Sequence, residues 1–313
     1  MADTVVLAGG SGFLGRSLAG HLSKCGYRVV VLSSSAGGSC IQTVSWDGKT
    51  LGGWCDELED AAAVINLTGK SVNCRYTPDN RREILESRLD SVRVLESAIA
   101  ECRHPPRVFI QAASLAIYGD AGVRVCTEDA PKASGFSPDV CVQWERAVDG
   151  VAFKAIRTVI FRIGFTLGRD GGALATLSKL ARWFLGGAVG DGRQFISWIH
   201  IGDLNAMFQR AIEYPSMTGI YNATGPAPVA NGEFMKELRA AVGRPWAPPT
   251  PAFAVKIGAF LMGTDASLAL TGRRCTPQRL LREGFLFQFP ELRMALADAL
   301  NNHRLKAVGL DGD

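Results

Sequence analysis

The stretch VVLAGGSGFLGRSLAGHL, residues 5–22, joins an apolar run to an amphipathic one through three spaced glycines. TVVLAG, residues 4–9, has the composition of a buried parallel strand that ends in a turn. From Gly12 onward, Leu14, Leu18, Leu22 and Cys25 fall at i, i+4, i+8 and i+11, which is one face of a helix. Gly9, Gly12 and Gly15 therefore stand between a strand and a helix as G-x-x-G-x-x-G. The first glycine permits the tight turn, the second lets a pyrophosphate approach the backbone, and the third lets the helix pack closely on the sheet. The helix N-terminus then turns its partial positive charge toward the phosphates. A glycine motif alone is weak evidence; this one has a strand before it and a helix after it. The reading is a dinucleotide site, and the competing one is a plain structural turn.

The same rhythm continues along the chain. YRVVVLS (27–33), AAVINLTG (62–69), RVFIQAAS (107–114) and AIRTVIFRIG (155–164) read as buried strands. A long amphipathic helix over 79–102 has Leu85, Leu89, Val92, Leu95 and Ile99 as its apolar face, and a further helix covers 137–150 with Ser137 as its N-cap. Strands alternating with helices predict an α/β fold, a doubly wound parallel (Rossmann) sheet. After Gly164 the segments become glycine-rich, and PWAPPTPAF opens a smaller, mostly helical C-terminal lobe. The expected domains are 1–245, with 165–195 on the substrate side, and 246–300.

Composition narrows the function classes. The chain has 313 residues, 47% of them apolar and 20% charged, with a net charge of +4. No basic run suggests nucleic acid. Eight cysteines without CxxC spacing, and no histidine at ligand spacing, point to reduced thiols and no metal. The start, MADTVVLAGG, lacks the pattern of a targeting segment, so a cytoplasmic location is expected. PAFAVKIGAFLMG is interrupted by Lys256 and too short to span a bilayer, so no membrane partner is expected. The partner is expected to be a small-molecule substrate, and the oligomeric state is open.

The second strand decides between cofactors. An NAD(H) site places a carboxylate about 20 residues past the glycines to bind the ribose. Here the strand ends VVVLSSSAGG, with Ser33, Ser34 and Ser35 in place of an acid. That favours NADP(H), with NAD(H) second. Arg16 could reach the phosphate from the helix, or it could be a solvated helix arginine.

The stretches GGSGFLG (9–15), VINLTGK (64–70), ILESRLDSVRVL (84–95), YGD (118–120), VQWE (142–145), RIGFTLGRDGGAL (162–174) and GDGRQFISWIHIGDL (190–204) occur in a fixed order. Together with the tail 271–300, they resemble the "epimerase family" proteins of the atypical, extended short-chain dehydrogenase/reductase type. Some members of that family are labelled cell-division inhibitors. The resemblance implies an NADP(H)-binding Rossmann lobe with a small C-terminal domain. It also implies backbone contacts at Ser11, Phe13 and Leu14. Leu67, Thr68 and Gly69 would lie near the cofactor at the end of the third strand, and Ser87 and Arg88 would face it from the long helix. The alternative for Arg88 is a surface residue paired with a nearby helix glutamate.

Extended relatives use a serine after the fourth strand and a Tyr-x-x-x-Lys on the next helix. Ser114, four residues before Tyr118, falls at the serine position. The helix reads PDVCVQWERAV, with Val140 or Cys141 at the tyrosine position and Trp144 or Glu145 at the lysine position. The resemblance implies the same W-E pattern across the family. Ser114, Cys141 and Tyr118 are the catalytic candidates, though Tyr118 also fits a structural role and Cys141 a buried apolar one. His200 reads as a core histidine and Asp203 as a helix cap. Arg193 and Gln194 are candidate substrate contacts, and Arg273, Arg274, Arg279 and Arg282 are either an acidic-ligand patch or a solvated face. Two functions follow. One is an NADP(H)-dependent oxidoreductase or epimerase-like enzyme acting on a small carbonyl or nucleotide-sugar-like substrate. The other is a non-catalytic NADP(H) sensor that binds a partner.

Overall fold

The computed structural model describes residues 2–34, 41–169 and 171–308, the last eight as backbone only. A seven-stranded parallel sheet runs through it, built from β1 (Thr4–Ala8), β2 (Arg28–Ser33), β3 (Gln42–Ser45), β4 (Ala63–Asn66), β5 (Val108–Ser114), β6 (Arg157–Ile163) and β7 (Gly219–Ala223). Their spatial order is β7-β6-β5-β4-β1-β2-β3. The order reverses beside β1, so the carboxyl ends of β1 and β4 flank the switch point where doubly wound sheets bind ligands. Thr4 to Ala8 pair with Arg28 to Leu32 on one side, and Val5 to Ala8 with Ala63 to Asn66 on the other.

Contacts divide the chain into two compact units. Unit one comprises 1–117, 132–162 and 205–221; unit two comprises 118–131, 163–204 and 222–313. The boundary expected at residue 245 thus runs inside unit two. In unit one, β1, β2 and β4 bury continuous apolar runs, as strands covered on both faces must. The helices α1 (Phe13–Lys24), α2 (Pro78–Glu101) and α3 (Phe136–Arg146) belong to this unit. Val92, Leu95 and Ile99 of α2 join Val6, Val64, Phe109 and Trp144 in its core. Thr77 caps α2 by accepting from the Asn80 N–H, and Pro78 occupies the first helical position, where its missing N–H costs nothing.

Several local expectations need correction. Cys25 is exposed, and α1 buries Gly15, Leu18, Ala19 and Leu22 instead. Leu85 and Leu89 are half-buried, while Ile84 and Ser91 lie inside. Ser137 does not cap α3; Gly135, at φ 115°, takes that place. β3 went unforeseen because QTVS is a polar, partly exposed edge with no apolar alternation.

Unit two is organised around Leu167, Leu174, Trp198, Phe234, Leu238 and Leu296. Its helices are α4 (Gly172–Arg182), α5 (Ile201–Glu213, which continues into unit one), α6 (Asn231–Ala241), α7 (Ala252–Leu261) and α8 (Leu292–Val308). Among the described residues no helix is long and apolar enough to cross a membrane. Cys275 is buried, and burial pushes its thiol up to about 12. In the folded protein Cys275 is expected to resist iodoacetamide while Cys25 reacts, as read by mass spectrometry of the alkylated chain.

Candidate functional site

The glycine turn lies in unit one, and its three glycines have different reasons to be glycine. Gly9 has φ 73°, and a Cβ there would meet Thr68 Oγ1 at 2.6 Å. A Cβ on Gly15 would lie 2.3 Å from the Gly10 carbonyl oxygen, so the helix could not sit where it does. Gly12 meets neither constraint: its backbone is extended, and a Cβ would have nothing within 4 Å. Open space at the N-cap is what a bound phosphate requires. No side chain caps α1 and no acid stands in its first turn, so its positive end is not neutralised locally. Ser11 and Gly12 are exposed, while Phe13 and Leu14 are half-buried. Arg16 folds back, and Nη1 donates to the Ser11 carbonyl at 2.7 Å, bracing the turn.

A buried polar network holds the end of β4 beside this turn. Asn66 Nδ2 donates to Ser91 Oγ and to Gln111 Oε1, and Asn66 Oδ1 accepts from the Thr68 N–H at 3.0 Å. Ser87 Oγ accepts from the Lys70 N–H at 2.9 Å, and Arg88 Nη1 donates to the Lys70 carbonyl at 3.1 Å. Both sides of the Lys70 backbone are thus fastened to α2. Leu67 and Thr68 are half-buried and Gly69 is exposed. Thr68 Oγ1 is buried with no hydrogen-bond partner among the described residues.

Arg88 has the most unusual setting. Its side chain lies against Gly69, where a Cβ would meet Arg88 Cζ at 3.0 Å, and its guanidinium stands 4.9 Å from the Trp144 ring centroid. Among the described residues no carboxylate pairs with it; Glu83, the glutamate at i−5, pairs with Lys70. Burial pulls Arg88 below the usual arginine range, and charge on Cys141 or Tyr76 opposes that shift. A half-buried cation with no carboxylate partner among the described residues is a place for an anion. Ser33 at the end of β2 is buried, Ser34 is exposed, and Ser35 lies outside the described residues.

The positions that hold tyrosine and lysine in extended relatives are occupied otherwise. Cys141 and Glu145 are both buried on α3. Glu145 makes a bidentate pair with Arg162, 2.7 Å at Nε and 2.8 Å at Nη2, with Lys132 at 3.7 Å as a third charge. Glu145 is therefore a structural carboxylate. Arg162 and Lys132 were missed because partners 17 and 13 residues from Glu145 leave no local sequence pattern. Ser114 ends β5 half-buried, and its Oγ accepts from the Ala116 N–H at 3.2 Å.

The remaining candidates belong to unit two. Tyr118 is fully enclosed and its hydroxyl donates to Asn222 Oδ1 at 2.8 Å, which removes it from the catalytic candidates. Gln194 Nε2 donates to the carbonyls of Val189 and Ala269, so it holds loops, whereas Arg193 is exposed. His200 is buried, with Nδ1 accepting from the Gly202 N–H and Nε2 3.2 Å from Asp298. Burial lowers its pKa and the Asp298 charge opposes this. Asp203 does not cap its helix; it accepts from the N–H groups of Gln288 and Phe289. Arg273 donates to the Gly119 carbonyl, Arg274 stacks on Phe195 and Arg279 pairs with Glu283, so these three arginines are partnered within the unit.

Back in unit one, Glu59, Asp60 and His104 come within 4.8 Å of one another, a grouping that sequence spacing did not suggest. Glu59 is already engaged by the N–H groups of Arg103 and His104, which closes a loop.

Comparison with known proteins places this geometry. The chain matches the model described as NAD dependent epimerase/dehydratase family over residues 5–223, and a domain of unknown function, DUF1731, over 250–299. It is 34% identical over 303 residues to the mouse epimerase family protein SDR39U1, covering 95% of this chain and 99% of that one. It is 33% identical to the chloroplastic SDR39U1 homolog of Arabidopsis thaliana, covering 94% and 85%. The crystal structure of human SDR39U1 with NADPH superposes with a TM-score of 0.85 at 30% identity, covering 96% and 99%. A strand, an open glycine turn and a helix at the sheet's switch point, matched over most of the chain, make this protein a member of the NAD dependent epimerase/dehydratase family.

Proposed function

We propose that the protein binds NADP(H) at the glycine turn and acts as an oxidoreductase or epimerase-like enzyme on a small carbonyl or nucleotide-sugar-like substrate. The observation that carries the reading is the open N-cap at Gly12, with Arg88, which has no carboxylate partner among the described residues, set against Gly69. The NADPH in the human relative's structure supports the choice of cofactor. When bound, the cofactor supplies or accepts the hydride. The chain's own part is to hold and orient. The α1 N-terminus receives the pyrophosphate, with Ser11, Phe13 and Leu14 offering backbone contacts. Leu67, Thr68 and Gly69 provide a wall braced from α2, and Arg88 offers its positive charge. Ser33 and Ser34 leave the ribose side free of the acid that would repel a 2′-phosphate. Ser114 Oγ already accepts one hydrogen bond, so its proton is available to donate to a substrate oxygen.

Titration of the purified protein, followed by reduced-nicotinamide fluorescence, tests the first half. NADPH is expected to bind at least ~10-fold tighter than NADH, a difference of about 1.4 kcal/mol. Equal affinity, or none for either, would sink the cofactor reading. Ser114→Ala is expected to lower turnover by ~100-fold with NADPH affinity unchanged.

One observation favours the second reading, an NADP(H) sensor acting through a partner. The helix PDVCVQWERAV carries neither the tyrosine nor the lysine of extended relatives, Tyr118 is sealed against Asn222, and Glu145 is tied to Arg162. NADPH that binds but is never consumed across carbonyl and nucleotide-sugar panels would select it.

A further inference from the structure

Unit two exposes an apolar face that its own core does not use. In α7, Phe253, Ile257, Phe260 and Leu261 fall at i, i+4, i+7 and i+8, the stripe a helix normally turns inward. Here all four are exposed, Leu261 at 77% and Phe253 at 67%, while Ala259 is the helix's buried residue. The segment that follows α4 also exposes a large apolar side chain, Trp183 at 79%. Phe184 takes a left-handed backbone, φ 60°, a costly conformation for a bulky side chain. The two segments are neighbours. Arg244 donates to the Arg182 carbonyl and stacks on Phe184, and Thr250, just before α7, pairs with Ala188 and Gly190.

The charges around this face are mainly positive. Residues 172–191 and 239–265 contain Lys179, Arg182, Arg239, Arg244 and Lys256 against two acids, Asp191 and Asp265. Trp183 and Trp246, both exposed, are the side chain most suited to a water–lipid boundary. A second copy of the chain fits poorly, because a two-fold contact would set this cationic rim against itself. We propose that α7 and the neighbouring Trp183 tip dock on an anionic lipid surface. The ten-residue helix is about 15 Å long, which suits lying in the headgroup plane and cannot span a bilayer. The sequence expectation of no membrane partner considered spanning alone; the exposure of the stripe is what alters it.

Co-sedimentation of the full chain with vesicles tests the proposal. Binding to equal parts phosphatidylglycerol and phosphatidylcholine is expected to exceed binding to phosphatidylcholine alone by at least ~10-fold and to weaken with salt. Arg182→Glu with Lys256→Glu should reduce it by a further ~10-fold or more. Phe253→Ser with Phe260→Ser should abolish it while all charges remain; if that pair fails to fold, Trp183→Ala carries the same test with a several-fold loss. Equal binding to neutral vesicles would overturn the proposal, as would full binding by the apolar variants. A dimer in sedimentation velocity that Phe260→Ser dissociates, without vesicle binding, would assign the face to a second copy instead.

Discussion

Replacing Glu145 with alanine is expected to destabilise the protein by about 3–5 kcal/mol, because it removes the carboxylate that pairs bidentately with the buried Arg162. Both side chains are almost wholly enclosed, 4% and 2% exposed, so water cannot take the place of the lost carboxylate. Denaturant unfolding monitored by circular dichroism reads the loss directly. Glu145→Leu combined with Arg162→Met should recover most of it, since exchanging a whole buried pair for apolar side chains is often neutral. A cost below 1 kcal/mol for the single variant would mean that the pair is hydrated. Glu145→Lys is the instructive case. It puts a lysine at one of the two positions, 144 or 145, that fall at the lysine place of extended relatives, yet sets a second cation against Arg162. It is expected to prevent folding rather than confer activity.

The second large effect separates two glycines that look alike in sequence. Gly12→Ala should change stability by no more than about 0.5 kcal/mol, because the new methyl group meets nothing. The same methyl occupies the space a phosphate needs, so NADPH affinity should fall by ~100-fold, about 2.7 kcal/mol. Gly15→Ala is expected to do the opposite first. Its methyl group would sit 2.3 Å from the Gly10 carbonyl oxygen, and pushing helix and turn apart costs about 1–3 kcal/mol. Paired thermal melts and fluorescence titrations distinguish them. A Gly12→Ala protein that binds NADPH normally would contradict the placement of the phosphates at α1.

What sequence made legible was whatever has a local period. Buried parallel strands are continuous apolar runs, helices repeat at 3.6 residues, and a glycine turn punctuates both. Hence the five strands and three helices read from the sequence all occur within a few residues of their expected places. β3 escaped because an edge strand need not alternate, and Gly135 displaced Ser137 as the cap of α3 because a residue at φ 115° already sets the entry of the chain. The site was legible where backbone geometry dictates residue type, as at Gly9 and Gly15. It was illegible where the deciding contact is distant. Nothing near Glu145 announces Arg162, nothing near Tyr118 announces Asn222, and Asp203 resembles a helix cap until Gln288 and Phe289 arrive 85 and 86 residues later.

The interleaving of the two units has a consequence for biosynthesis. Unit one draws on residues up to 221 and unit two begins at 118, so the ribosome starts the second before it finishes the first. A nascent chain that has emerged to about residue 200 has made six of the seven sheet strands but lacks the edge strand β7, and it trails apolar sequence whose partners in unit two are not yet translated. Such a chain exposes sheet edge and core together, the state most prone to aggregate and most in need of a chaperone. Fragments cut at 117 or 245 would freeze that vulnerable moment, which makes the intact chain the smallest practical unit for expression.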